Sequence, residues 1–291
     1  MMLGLAKLET LNFLLTNRIP RHLTTRCVGW LSQIRNPLVA SSALWIWRRF
    51  AEVDLSEAEE TQFQSLHDCF IRKLKPHARP IDADPRVLVS PCDAIVGACG
   101  PIEGTNLIQA KGFPYTLSDL LHAPELVNLY RDGQYVTLRL TSSMYHRFHA
   151  PADLRVDHVD YISGDTWNTN PIALKRVEKL FCKNERAIVR TTLAATGHTL
   201  TLVPVASILV ASIRLHFLDV LLHLKYRGTN SFPCDAEFAR GQEMGWFHLG
   251  STIIVFAPRG FERHESIQPG RTIKMGQALL HLPPNAEGET H

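Results

Sequence analysis

The 291-residue sequence lacks an apolar segment long enough to span a membrane. Its longest uncharged run near the N-terminus covers residues 36–47 and includes Pro37, whereas a spanning helix needs roughly 20 apolar residues. The first residues also lack a basic region followed by an apolar run and a cleavage site, which is the pattern of a secretory signal. Neither secretion nor a transmembrane helix is therefore predicted.

The six cysteines form no C-x-x-C pair, and none stands beside histidines at the spacing of zinc ligands. In a chain of this length they indicate free thiols and a reducing compartment. Internal repeats and low-complexity tracts are also lacking. With 45% hydrophobic and 20% charged residues, the composition is that of a folded globular protein. The sequence predicts no metal and no nucleic-acid partner.

Acidic residues are scarce in the first 50 positions, which hold seven lysines and arginines but only one acid, Glu9. This segment has a net charge of +6, and the total of +3 leaves −3 for the rest of the chain. Apolar residues recur at helical spacing before Pro20, and Trp45 and Trp47 precede two arginines. Such a pattern is typical of a membrane interface, although these helices can equally pack against the protein's own body. We predict a helical membrane-associating region over residues 1–75.

From Val87 onward, short β-rich runs are separated by glycine and proline. These runs cover residues 86–90, 94–98, 135–141, 187–192, 199–205, 208–213 and 252–257. One helical insertion is predicted over residues 117–130, and a capping-box pattern beginning at Ser56 predicts a helix to about Lys73. The predicted fold class is α+β, with a mostly β catalytic body over residues 76–291 and an amphipathic helical N-terminal region.

Ser251 follows Gly250 directly before the last of these predicted strands. The pair can be a simple turn. It can also be a reactive peptide bond, because glycine leaves its carbonyl unhindered and tolerates unusual backbone angles. Attack of the serine hydroxyl on that carbonyl would require a base close to the serine.

Three further side chains are candidates for proton transfer. His146 and His149 lie three positions apart after a predicted strand, and histidine is the side chain best suited to move protons near neutral pH. A purely structural pair is the commoner explanation for such spacing. Asp93 lies between a strand and a turn, where it either forms an Asx turn or orients a histidine. The other histidines, including His248, receive no role.

These candidates fall within a series of motifs that resembles the bacterial membrane-associated phosphatidylserine decarboxylases. In chain order the motifs are residues 70–75 and 79–82, V-S-P-C-D at 89–93, Q-A-K-G and Y-T-L within 109–117, Y-H-R-F-H-A-P at 145–151, N-E-R at 184–186, and G-Q-E-M-G leading to L-G-S-T at 241–252. The last block is highly specific in this order and context. The resemblance covers nearly the whole chain and is weakest before about Val53.

The resemblance implies that the chain cleaves itself between Gly250 and Ser251. Cleavage would leave a β chain of residues 1–250, an α chain of residues 251–291, and a pyruvoyl group made from Ser251 at the new N-terminus. The pyruvoyl carbonyl would form a Schiff base with phosphatidylserine and give phosphatidylethanolamine, with no need for pyridoxal phosphate or a metal.

The resemblance also implies roles for the other candidates. His149 would be the base for self-cleavage and Asp93 its orienter, while His146 would act in the decarboxylation itself. The family further implies a homodimer and a peripheral location at the cytoplasmic side of the cell membrane.

The sequence departs from the family at two places near the site. Ala94 replaces the glycine that usually follows the aspartate motif, and residues 141–144 read T-S-S-M where S-P-R-D is frequent. The residues that bind substrate are therefore left unassigned. Three alternatives remain open: a Ser-His-Asp hydrolase, a catalytically inactive membrane-bound relative, and a pyruvoyl decarboxylase for a different amine. The chain has no G-x-S-x-G nucleophile turn, which argues against the first of them.

Overall fold

A computed structural model describes residues 9–14, 17, 20–51, 53–110, 113–208, 212–223, 226–248 and 251–284. Leu249 and Gly250, and with them the predicted cleavage position, lie outside the described residues, as do Lys111 and Gly112. Beyond the helical residues 9–14, the helices are Arg21–Ser32, Pro37–Phe50, Leu66–Phe70, Leu117–Leu121, Pro124–Tyr130, Pro171–Leu174 and Leu180–Lys183.

The strands in the described ranges begin at Val87. They are β1 (Val87–Val89), β2 (Ala94–Pro101), β3 (Asn106–Ala110), β4 (Phe113–Thr116), β5 (Gln134–Leu140), β6 (Arg147–His149), β7 (Leu154–Ile162), β8 (Arg186–Leu193), β9 (Thr199–Ala206), β10 (Ser212–Leu215), β11 (Leu221–His223), β12 (Ser231–Phe238), β13 (Glu243–Phe247), β14 (Ser251–Ala257), β15 (Glu262–Arg263), β16 (Thr272–Ile273) and β17 (Ala278–His281).

An eight-stranded antiparallel sheet, in the order β12-β7-β8-β9-β14-β5-β2-β16, forms the centre of the described structure. A four-stranded sheet, β11-β10-β13-β6, a three-stranded sheet, β1-β17-β15, and the β3-β4 hairpin accompany it. One face of the large sheet packs against apolar residues of the four- and three-stranded sheets. The other face packs against the helices of residues 117–130 and 171–183. The large sheet is therefore buried on both faces.

Strand β14 lies in the middle of this sheet, between β5 and β9, and all seven of its residues are buried. Ile253 and Val255 belong to the core shared with the smaller sheets, and Ile254 and Phe256 belong to the core under the helices. Because side chains alternate along a strand, Ser251 lies on the face of Ile253 and Val255. The fold thus places Ser251 at the first residue of a central strand whose residues are all buried.

The N-terminal helices expose much of their apolar surface. The helix Pro37–Phe50 is capped by Asn36, whose side chain accepts hydrogen bonds from backbone N–H groups of the first turn. Two arginines in its last turn interact favourably with the negative end of the helix dipole. Leu38 and Trp45 of this helix are 78% and 70% exposed. Trp47 instead packs against Phe70 with ring centroids 4.4 Å apart. Among the described residues, no helix is both long and apolar enough to cross a membrane.

The α+β fold class with a mostly β body is confirmed. The insertion at residues 117–130 is helical but divided, because His122 takes a left-handed conformation just before Pro124. The helix predicted from Ser56 is wrong for most of its length. Ala58 forms an isolated bridge with Leu74 instead, and the only helix among described residues 53–75 is Leu66–Phe70.

A tertiary contact explains this error. The carboxylate of Glu57, which sits inside the expected capping box, accepts hydrogen bonds from Arg79 at 2.7 Å and from Lys274 at 3.2 Å. The helix begins ten residues after Ser56, at Leu66, where the hydroxyl of the N-cap residue Ser65 accepts a bond from Asp68 N at 3.1 Å.

Candidate active site

Ser251 is fully buried as the first residue of β14, paired with Leu140 of β5 and Ala206 of β9. Its hydroxyl makes no hydrogen bond with any described residue. A buried hydroxyl without a partner is unfavourable by about 1–3 kcal/mol, so such groups usually have a function or an additional partner. The prediction that Ser251 opens a strand is confirmed.

His149 ends β6 and is almost completely buried. Its Nδ1 lies 2.9 Å from the carbonyl oxygen of Gly241, and its Nε2 lies 3.0 Å from the Tyr145 hydroxyl. A carbonyl can only accept, so Nδ1 carries the proton and Nε2 accepts from the tyrosine. Burial lowers the pKa of His149 below its ordinary value, against the opposing effect of the Gly241 carbonyl. The ring is therefore a neutral base with its lone pair on Nε2.

Asp93 lies directly before β2 and is bound by a buried arginine. Its two carboxylate oxygens accept from Nε and a terminal nitrogen of Arg79 at 2.8 and 2.5 Å. The backbone N–H of Met275 donates a third bond at 2.9 Å. Burial by itself would lower the pKa of Arg79. The hydrogen bonds and negative charges of Asp93 and Glu57 outweigh that effect, so the pKa of Arg79 is raised above its ordinary value. Asp93 is thus held by a bidentate ion pair with Arg79.

The structure brings Asp93 and His149 into one neighbourhood without joining them. The backbone N–H of His149 donates to the Pro91 carbonyl at 2.8 Å, and Arg79 lines the same cavity as His149. The charge of Asp93 acts on the His149 ring by favouring its protonated form. Within the described residues, however, no hydrogen bond connects Asp93, His149 and Ser251. Their cooperation in self-cleavage stays a prediction.

His146 lies on the other side of this segment and is completely buried. Neither ring nitrogen has hydrogen-bond geometry with a described residue, and the Phe70 ring packs edge-on at 5.9 Å. Burial, followed by the charge of Arg72, lowers the pKa of His146 to about 3, although the Met144 carbonyl favours the charged form. His146 is therefore neutral at neutral pH, with one protonated and one unprotonated ring nitrogen.

Sequence reasoning left out several groups around His149. Arg147 donates to Glu243 Oε1 at 2.6 Å, and His216 contacts the same oxygen at 2.6 Å. The Arg147 guanidinium also lies over the Trp246 ring at 5.2 Å. Arg79 and Glu243 both stand inside the quoted motifs, so the motifs signalled the positions but not the contacts.

A cavity of about 250 Å³ opens beside the candidate base. It is lined by Lys73, Leu74, Lys75, His77, Arg79, Tyr145, His149, Glu243 and Met275. The lining includes three permanently cationic side chains, of which Arg79 is already paired with two acids. This composition suits an anionic ligand group better than a cation.

The residues present also fit a pyruvoyl group at position 251. Formation of that group consumes the hydroxyl of a serine, and the Ser251 hydroxyl is buried, unpartnered and at the very start of a strand. The nearby β5 ends at Leu140, opposite Ser251, and the chain then turns toward His146 and His149. The topology therefore leads the candidate residues toward the end of the sheet where Ser251 lies.

The chain is similar in sequence to known proteins over most of its length. The sequence model of the family described as phosphatidylserine decarboxylase matches residues 66–281. A phosphatidylserine decarboxylase proenzyme of Halorhodospira halophila is 34% identical over 273 residues, covering 92% of this chain and 90% of the relative. Proenzymes of the same name from Haemophilus influenzae and Sodalis glossinidius are 31% and 32% identical, over 90% and 94% of this chain and 93% and 96% of their own lengths. The chain therefore belongs to the phosphatidylserine decarboxylase family.

Proposed function

We propose that this protein decarboxylates phosphatidylserine to phosphatidylethanolamine with a pyruvoyl group made from its own Ser251. Family membership supports the reaction. The observation that carries the cofactor is the buried, unpartnered hydroxyl of Ser251 at the start of β14, directly after Gly250 in the sequence.

Self-cleavage begins with attack of Ser251 Oγ on the Gly250 carbonyl carbon. The peptide C–N bond breaks, the nitrogen of residue 251 takes up a proton, and an ester joins the two parts. β-Elimination then breaks the Cβ–O bond, which releases residues 1–250 as a carboxylate and leaves dehydroalanine at residue 251. Tautomerisation and addition of water release ammonia and leave the pyruvoyl carbonyl.

His149 is the base for this sequence, with its proton fixed on Nδ1 by the Gly241 carbonyl. Because Nε2 already accepts from the Tyr145 hydroxyl, the serine proton reaches His149 through Tyr145 or after the tyrosine side chain turns away. Asp93 stabilises the positive charge that develops on the ring, as its effect on the His149 pKa indicates. In a catalytic triad the acid also orients the histidine, whereas here the Gly241 carbonyl supplies the orientation and Asp93 contributes its charge.

The pyruvoyl group supplies a ketone that condenses with the substrate amine and accepts the electron pair released with carbon dioxide. The protein's own contribution is to exclude water and hold a proton. His146 is neutral and buried, so it retains one ring N–H that it can donate to the substrate carbon after carbon dioxide has left.

We also propose that the protein binds the surface of an anionic membrane. The helix Pro37–Phe50 exposes Leu38, Trp45 and Ile46, and it carries Arg48 and Arg49 in its last turn. Apolar side chains next to cations suit insertion at the level of lipid headgroups. The preceding helix also exposes two large apolar side chains, Leu23 and Trp30.

The decisive experiment is the intact mass of the purified protein beside two variants. We expect the wild type to give fragments of residues 1–250 and 251–291, the smaller beginning with a pyruvoyl group. Ser251→Ala should remain one chain. Thr137→Val is the matched control, because Thr137 has another buried, unpartnered hydroxyl in the same sheet. It should still cleave.

A folded wild-type chain that stays uncleaved would overturn the proposal and favour the hydrolase or the inactive relative. The substrate is tested separately, by release of labelled carbon dioxide from phosphatidylserine and from free serine. Cleavage with activity only on a soluble amine would retain the cofactor and reject the lipid substrate.

A further inference from the structure

Three potential metal ligands converge at the edge of the three-stranded sheet. His264 and Glu265 directly follow β15, and His281 is the last residue of β17. Glu262 of β15 pairs with His281, which brings the two histidines together although they are far apart in sequence. One ligand atom from each of the three side chains lies within 4.8 Å of the other two.

Both imidazoles are directed at the same carboxylate. Nε2 of His264 lies 3.5 Å from Glu265 Oε1, and Nε2 of His281 lies 3.5 Å from Glu265 Oε2. The two rings are inclined by 32° with their centroids 5.0 Å apart. At this separation two protonated rings would repel each other, whereas two neutral rings would present nitrogen lone pairs to one point.

The position of His264 is fixed by its surroundings. Its backbone N–H donates to the Leu279 carbonyl at 3.1 Å, which attaches it to β17. Its Nδ1 accepts a long bond from the Ser266 N–H at 3.3 Å and lies 2.8 Å from the Ser266 hydroxyl. Binding of a metal by Nε2 would place the ring proton on Nδ1, where the Ser266 hydroxyl would accept it and the 3.3 Å bond from the N–H would be lost. Metal-binding histidines usually have such an outer partner.

The local charges also suit a cation. Glu265 supplies a carboxylate with one oxygen near each histidine ring. Two arginines lie in the same region. Arg86 binds both oxygens of Asp84 at 3.1 and 3.0 Å, and Arg271 donates to the Ser266 carbonyl at 3.4 Å.

We propose that His264, Glu265 and His281 bind a divalent d-block cation of the zinc class. The ligands would be the two Nε2 atoms and one carboxylate oxygen, with water completing a tetrahedron. Ligand atoms around tetrahedral zinc are about 3.4 Å apart at the usual bond lengths of about 2.1 Å. Glu265 is 81% exposed and free to move, so its rotation can supply the remaining contraction.

The ion would stabilise an edge of the fold rather than take part in the reaction at Ser251. Strand β15 has only two residues, both exposed, and pairs only with β17 in the described sheet. A bridge between residues 264–265 and 281 would hold this short strand in place. All three ligands lie within residues 251–291, so the site does not depend on the proposed cleavage.

The test is calorimetric titration of Zn²⁺ into chelator-treated full-length protein. We expect one site that is weakened at least tenfold by His264→Gln, by His281→Gln and by Glu265→Gln. His158→Gln is the matched control, because His158 also contacts a carboxylate, that of Asp160 at 3.1 Å, but belongs to no cluster of three potential ligands among the described residues. The control should bind Zn²⁺ as the wild type does.

A second measurement separates binding from folding. Glu265→Gln alters only an exposed side chain, so its melting temperature without metal should equal that of the wild type. Added Zn²⁺ should raise the melting temperature of the wild type and of His158→Gln but not that of Glu265→Gln. Equal Zn²⁺ affinity in all variants, or equal weakening by His158→Gln, would overturn the proposal.

Discussion

Replacing Arg79 by alanine tests whether Asp93 depends on this arginine. The two side chains are only 6% and 10% exposed, and the pair makes two direct bonds. Removing one member of a buried pair typically destabilises a protein by about 3–5 kcal/mol, because the other charge is left without compensation. We therefore expect Arg79→Ala to lower the free energy of unfolding by that amount. The Met275 N–H that remains on Asp93 cannot replace a full charge.

The measurement is urea unfolding in the Ser251→Ala background, so that chain cleavage does not alter the transition. Arg86→Ala is the matched control, because Arg86 binds Asp84 in the same two-bond manner but is 73% exposed. Exposed pairs contribute about 0–1 kcal/mol, so the control should change stability little.

A double variant identifies the cause. If the uncompensated carboxylate is responsible, adding Asp93→Asn to Arg79→Ala should restore part of the lost stability, because no buried charge then remains unpaired. Equal effects of Arg79→Ala and Arg86→Ala, or no recovery in the double variant, would refute the reasoning.

Three further predictions follow from the structure. The pKa of His146 is about 3 in the folded protein and about 6.5 when unfolded. The unfolded protein therefore takes up a proton on His146 that the folded protein does not. The free energy of unfolding should fall as pH drops below 6.5, by up to about 1.4 kcal/mol per pH unit. His146→Gln should show a shallower slope in urea unfolding between pH 6.5 and 4, and an unchanged slope would contradict the burial. Gly241 has φ +80°, and an added Cβ would also meet the Ile81 side chain, so Gly241→Ala should cost at least the about 1–2 kcal/mol of backbone strain. It should also slow self-cleavage, measured by gel, because the Gly241 carbonyl holds the candidate base. Gly270 has φ +88°, and nothing lies within 4 Å of an added Cβ. Gly270→Ala is therefore the control, which should lose stability through backbone strain but cleave at the wild-type rate. Trp45→Ser should lower the fraction of protein that sediments with anionic vesicles. Leu221 is an exposed apolar residue on β11, and Leu221→Ser should leave that fraction unchanged. An equal decrease in both variants would reject the helix Pro37–Phe50 as the membrane contact.

Much of the β body could be predicted from sequence because its signals are local. Apolar β-rich runs between glycines and prolines located the starts of the strands near Val87, Ala94, Thr199 and Thr252 within one residue of the observed starts. The ordered motifs were equally local, and they identified the family and the candidate residues before any contact was known.

The helix expected from Ser56 failed because a long-range contact outweighed a local one. A capping box stabilises a helix by about 1 kcal/mol, whereas Glu57 instead binds Arg79 and Lys274. The second partner lies 217 residues away in sequence, so no local pattern could reveal it.

The sequence by itself determined which chemical groups this protein possesses: a glycine–serine pair, two histidines and an aspartate in a recognisable order. Only the tertiary structure decided their partners. It paired Asp93 with Arg79 and His149 with Tyr145 and Gly241, and it left the ring nitrogens of His146 without a hydrogen-bond partner among the described residues. It also brought His264 beside His281 through strand pairing. The physical reason is that the protonation and reactivity of a side chain depend on burial and on neighbours within a few ångströms, and the folded chain draws those neighbours from distant parts of the sequence.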